Sequence, residues 1–213
     1  MSVAAALLAL VGALASTPLS AERVAGEVRY RASDQRSSWV GTAPLVVERF
    51  EGDLGDLTSV ELEASVRVAD LRTGNALRDF EARRSVFDAG AHPEVRFVLR
   101  RIEPVDGDPE GHEHALRLTG DLTLRGTTRE VVAVARLDLD DAHASVTATL
   151  ELSLAAFEVD PPRLFTWVVD DRVLVEVDAT WPLDRGSTAT TPRRAPRAPA
   201  AGAMPPAGSA ARR

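Results

Sequence analysis

Apolar residues recur at every second position in run after run along this chain, the period of a strand with one dry face and one wet face. The clearest run is Val60-Glu-Leu62-Glu-Ala64-Ser-Val66-Arg-Val68, where Glu61, Glu63, Ser65 and Arg67 occupy the opposite face. Leu116 to Leu124, Ser145 to Leu152 and Val173 to Ala179 repeat the pattern, and Val28 to Ala32, Val95 to Leu99 and Val131 to Leu139 repeat it more weakly. Trp39 to Val47 adds another, confined by Pro44 to an edge or a bend. The reading is about eight strands, most economically paired antiparallel. Asp106 to Gly111 and Asp138 to His143 read as turn-rich insertions, and Gly126-Thr127-Thr128 as a short hairpin connection. A sheet of this kind buries its dry face by closing into a barrel or folding into a sandwich, which also removes exposed edges.

One segment changes period. From Thr73 to Phe87 the apolar residues fall three and four apart, after Thr73 or Asn75 as a candidate N-cap. This predicts a single amphipathic helix with Leu77, Phe80 and Phe87 laid against the barrel or across one mouth.

The two ends differ from the middle. Val3 to Ala15 is apolar and too short to span a bilayer, and small residues at Ala13, Ala15 and Ala21 offer cleavage sites, so residues 1–21 read as a signal peptide. Residues 186–213 are rich in Pro, Ala, Gly and Thr and read as a disordered tail. The folded region, residues 22–185, carries 20 Arg against 32 acids, whereas the tail carries five Arg and no acid. An acidic domain speaks against nucleic-acid binding. The leader implies export to the periplasm or the extracellular space.

Chemistry is thinly represented. Without cysteine there is no disulfide framework, thiolate zinc site or cysteine nucleophile. His112-Glu113-His114 has the alternate spacing of a metal pair on a strand, but beside a Gly- and Asp-rich turn it reads as surface histidines. Asp138, Asp140 and Asp141 lack the glycine and terminal glutamate of a calcium loop. His92, before a proline at a strand start, reads as a capping or packing residue rather than a base. No catalytic residue and no metal ligand is assigned, and the chain is not read as an enzyme.

Two motifs carry a resemblance. Arg72-Thr73-Gly74-Asn75, Arg78-Asp79, Phe87-Asp88 and His92-Pro93 through Phe97 come first, and Leu118-Thr119-Gly120-Asp121-Leu122-Thr123-Leu124-Arg125-Gly126-Thr127-Thr128-Arg129 follows them along the chain. In that order they resemble the YceI-like family. The resemblance implies an all-β fold, an eight-stranded antiparallel lipocalin-like barrel with one short amphipathic helix, over most of residues 22–185. It further implies an exported protein whose barrel holds a polyisoprenoid-type chain, such as an isoprenoid quinone or a polyprenyl lipid, with no cofactor beyond that ligand.

A barrel of eight strands is either filled by its own side chains or keeps one apolar cavity. Small inward positions at Ala64, Gly120 and Ala148 favour room for a chain. The expected lining is Tyr30, then Val60, Leu62, Ala64, Val66 and Val68, then Phe97 and Leu99, then Leu118 and Leu122, then Ala148, Leu150 and Leu152, and finally Val175 and Val177. Leu77, Phe80 and Arg84 are the expected mouth or gate, and Arg78, Arg83, Arg125 and Arg129 are further candidate donors to a polar head. The expected partner is an isoprenoid-type lipid with transient membrane contact, in a monomer or homodimer. The rival readings are a filled-barrel envelope interaction module and an enzyme on a small apolar substrate.

Overall fold

The computed structural model describes residues 21, 24–53, 56–105, 113–140, 142–160, 163–164 and 167–183. The leader up to Ser20, the tail, Asp106 to His112 and Asp141 lie outside them. Every predicted strand is present. In chain order they are β1 (Ala25–Ser33), β2 (Ser38–Pro44), β3 (Val46–Asp53), β4 (Asp56–Arg67), β5 (Glu94–Pro104), β6 (Glu113–Leu124), β7 (Thr127–Leu139) and β8 (His143–Ser153). Two-residue pieces β9 (Arg163–Leu164) and β10 (Trp167–Val168) then precede β11 (Arg172–Pro182).

The main sheet runs β2-β1-β11-β8-β7-β6-β5-β4-β3, and all its pairings are antiparallel. Its two outer strands, β2 and β3, are separated in sequence by Leu45 alone. Residues 38–53 are therefore one bent strand whose first half pairs with β1 and whose second half pairs with β4. Counted so, eight strands form a ring, and the bend falls where Pro44 places it. Thr42 N and Arg72 N each donate to the other residue's carbonyl, at 2.8 and 2.9 Å, stitching β2 to the segment that follows β4.

Two bulges reset the alternation. The β3–β4 register shifts between Val47 and Arg49, so Val47 and Phe50, three residues apart, both face inward. The β5–β6 register shifts between Leu99 and Arg101, which brings Ile102 inward after Leu99 in the same way. The β6–β7 hairpin turns on Arg125 and Gly126, with φ of 50° and 78°, and Thr127 and Thr128 already belong to β7. Positive φ at both central positions defines the tight turn whose twist matches its strands. The hairpin connection thus begins one residue earlier, and ends two residues earlier, than the spacing suggested. Likewise Asp138 and Leu139 remain in β7, and Asp140 closes the next turn, its Oδ1 accepting from Ala142 N and His143 N, both at 2.6 Å.

The helix α1 spans Ala76–Glu81, and a wide π turn, Ala82–Val86, follows it. Asn75 is its N-cap, with Oδ1 accepting from Leu77 N and Arg78 N, both at 3.1 Å. Asp79 is buried and accepts from Thr73 N at 2.9 Å and from Thr73 Oγ1 at 2.6 Å, with Gly74 between them at a φ of 75°. The Thr-Gly-Asn and Arg-Asp motifs are therefore one closed loop that pins α1 over the barrel end. Asn75→Ala is expected to cost about 1 kcal/mol locally. The check is amide exchange at Leu77 and Arg78, which should accelerate several-fold relative to β6; unchanged exchange would contradict the cap.

The π turn also overturns one packing expectation. Leu77 and Phe80 are each 54% exposed on the outer side of α1, and Arg84 is exposed too. The extra residue in that turn rotates Val86 and Phe87 inward instead. None of Leu77, Phe80 and Arg84 lines the barrel interior. Among the described residues no helix is long and apolar enough to cross a membrane.

Candidate functional site

The barrel encloses a cavity of about 320 Å³ that runs from the α1 end to the opposite end. It is not a filled barrel, which removes the main premise of the interaction-module reading. The wall is made by the inward set of each strand, and Tyr30, Val60, Leu62, Ala64, Val66, Phe97, Leu99, Leu118, Leu122, Ala148, Leu150, Leu152, Val175 and Val177 all border it. Val68 does not: the chain leaves β4 at Arg67 for a single 3-10 turn, and Val68 is sealed against Ala43, Val66 and Leu71. Of the three helix-segment residues expected against the barrel, Phe87 alone lines the space; sequence reasoning missed Trp39, Phe50, Ile102 and Trp181, which also line it. Trp181 continues the alternation of β11 by one further step, so extending that run would have found it. Phe50 and Ile102 lie beyond the bulges, where a strict period of two places them outside.

Two glycines shape the wall. A Cβ on Gly41 would lie 2.3 Å from the Tyr30 ring, and one on Gly120 would lie 2.4 Å from Phe97 Cζ. Each aromatic ring rests on a neighbouring glycine, flat against the wall, instead of projecting across the lumen. Gly120 was expected to leave room for a ligand; that room is taken by Phe97, and its benefit is indirect.

The two ends differ in polarity. Phe50 meets Trp181 edge to face, with centroids 5.1 Å apart at 80°, and the pair gives the end opposite α1 an aromatic lining. At the α1 end the cavity is bordered by Arg78 and Glu81 from the helix. The Arg78 guanidinium lies 4.4 Å from the Trp39 ring centroid, a cation–π contact. The other candidate arginines are engaged elsewhere: Arg83 donates to Leu71 O, Arg125 to Ser85 O, and Arg129 to Ala156 O and Glu158. His92 lies off the cavity, with its imidazole over Gly126, where a Cβ would come within 2.7 Å. It packs the hairpin against the loop after α1, as its place before Pro93 suggested. Among the described residues no group of three or more His, Asp or Glu is arranged to hold a metal; His112 lies outside them.

Tyr30 is the only tyrosine of the chain. Burial, and then the charge of Asp79, push its phenol up to about 12 from 10.0, against the opposing pull of Arg78 and Arg83. The fold therefore disfavours the phenolate. Stability from this group is intact below pH 10 and is lost as pH rises toward 12. Phenolate absorbance of the folded protein should rise with a midpoint near 12, and a midpoint near 10 would mean that the ring is solvated.

An antiparallel barrel of eight strands around an apolar lumen, with a short helix pinned over one end, defines a lipocalin-like barrel rather than a packed core. Residues 22–181 match the YceI-like domain, and the chain belongs to that family. No curated protein matches it in sequence. Among solved structures it is similar to BcnA of Burkholderia cenocepacia, at 19% identity and a TM-score of 0.62, covering 73% of this chain and 95% of that one. It is also similar to a polyisoprenoid binding domain from Saccharophagus degradans implicated in plant cell wall breakdown, at 13% identity and a TM-score of 0.59, covering 76% and 98%. The Campylobacter jejuni YCEI protein matches at 16% identity and a TM-score of 0.56, covering 70% and 86%. At these identities the likeness establishes the fold.

Proposed function

We propose that this chain is an exported carrier that holds an isoprenoid-type lipid in its barrel and shields it from water, without acting on it chemically. The observation that carries the reading is the continuous apolar lumen, open enough for a chain and walled by the inward faces of all eight strands. Membership of the YceI-like family and the likeness to a polyisoprenoid binding domain support the choice of ligand.

Magnitude favours a long chain. Each buried CH₂ contributes about 0.8 kcal/mol, so ten carbons yield roughly 8 kcal/mol. Association costs on the order of 4–15 kcal/mol offset this. Retention therefore asks for a lipid of several isoprene units, such as an isoprenoid quinone or a polyprenyl lipid, and needs no strong polar contact. Export to the periplasm or beyond is the compartment in which such shielding has a use, and the apolar leader supports it. Exposed Leu77 and Phe80 give α1 an apolar outer face for transient contact with a membrane, where the lipid would be taken up or delivered. Catalysis is not part of the reading, since the cavity is bordered by almost no ionisable groups and His92 faces away from it.

Purification from the native host, solvent extraction and mass spectrometry test this. A stoichiometric isoprenoid species is the expected result; an empty extract together with no uptake of added isoprenoids would overturn it.

A further inference from the structure

The lumen is polar at one end only, and the Tyr30 hydroxyl there has no hydrogen-bond partner among the described residues. Its ring is fixed on Gly41, the residue it faces across the β1–β2 pair, and the next inward position along β2 is Trp39, under Arg78. The other cavity-bordering hydroxyl, Ser65, already donates to Glu48 at 2.7 Å. A hydroxyl that faces an apolar lumen without a partner gains a hydrogen bond when an acceptor enters. At the far end, the Trp181 Nε1 is sealed within the packing and offers nothing to a guest.

The charges around Tyr30 decide what kind of acceptor fits. Arg78 shares the cavity rim with Glu81 and is followed in sequence by the buried Asp79. Arg83, also on this side, donates to Leu71 O. No surplus of cations borders the lumen to neutralise a diphosphate, and a diphosphate would meet Glu81 as it entered.

We propose that the Tyr30 hydroxyl donates a hydrogen bond to the carbonyl or hydroxyl oxygen of an uncharged lipid head. It thereby orients the guest with its head under α1 and its tail toward Phe50 and Trp181. This rests on the reading that the barrel holds a lipid, and it adds the class of head and the residue that selects it. Tyr30 remains a neutral donor through the physiological range.

The test uses the full chain, stripped of lipid, and three probes with one prenyl chain: geranylgeraniol, the head-less hydrocarbon of equal length, and geranylgeranyl diphosphate. Wild type should bind the alcohol about tenfold more tightly than the hydrocarbon, the value of one recovered hydrogen bond, and the diphosphate most weakly. Tyr30→Phe keeps the ring on Gly41 and should erase the advantage of the alcohol over the hydrocarbon. Alcohol binding should also raise the phenolate titration of Tyr30 further, which a purely structural ring would not show. A preference that survives in Tyr30→Phe, or tightest binding of the diphosphate, overturns the assignment. Failure of wild type to bind either the hydrocarbon or the alcohol overturns instead the lipid-barrel reading on which it rests.

Discussion

Ala148→Phe is expected to empty the barrel of lipid while leaving the barrel folded. Ala148 is buried at the middle of β8, opposite Val177 of β11 and Ala135 of β7, and its methyl group borders the lumen. A benzyl group there projects into space that a guest must occupy. In a filled core the same change costs about 1–3 kcal/mol from overpacking; here the ring enters open volume, so the cost falls at the low end. Affinity for an isoprenoid should drop at least about tenfold, or ~1.4 kcal/mol, with an unfolding midpoint close to wild type. Val132→Phe, on the exposed outer face of β7, is the control and should leave binding unaltered. Equal lipid content in Ala148→Phe and wild type would remove the cavity from the mechanism.

The largest effect on stability is expected from Trp181→Ala. Trp181 is 7% exposed, packs edge-on against Phe50, and sits in a cluster that includes Leu116, Leu137, Ala144 and Ala148. Truncating a buried Trp to Ala costs roughly 3–5 kcal/mol through lost burial and the void left behind. Because Trp181 Nε1 has no hydrogen-bond partner, Trp181→Phe forfeits area but no polar contact and should cost only about 1 kcal/mol. Urea unfolding of both variants checks the pair. A small loss in Trp181→Ala would mean that the aromatic end is not what holds the strands together there, and equal losses in the two would point to the indole nitrogen instead.

The eight strands were legible because each buries only one face, so alternation survives in the sequence at Val60 to Val66 or Val173 to Val177. Closure was legible only in part: Pro44 in the run from Trp39 to Val47 allowed an edge or a bend, alternation allowed a barrel or a sandwich, and the barrel itself came from the family resemblance. What the period could not carry were the places where backbone geometry departs from it. The bulges near Glu48 and Arg100 shift Phe50 and Ile102 to the inside, and the π turn after Glu81 swaps the faces of the helix, sending Leu77 and Phe80 outward. Val68 belongs to the apolar stripe of β4 by spacing and to a turn by structure. The polar end of the site was the least legible part. Five arginines looked equivalent along the chain, and only the fold shows that Arg78 alone among them reaches the lumen while Arg83, Arg125 and Arg129 serve backbone carbonyls. Tyr30 was placed in the lining by its alternation with Val28 and Ala32, but its unpaired hydroxyl depends on Gly41 across the strand pair, which no local pattern discloses.

Native mass spectrometry of the full chain mixed with an isoprenoid quinone is the most direct measurement. A single added mass corresponding to one lipid per chain is predicted, retained by wild type and by Val132→Phe and absent from Ala148→Phe. No added mass, or a graded series of adducts equal in all three proteins, would contradict a lipid held inside the barrel.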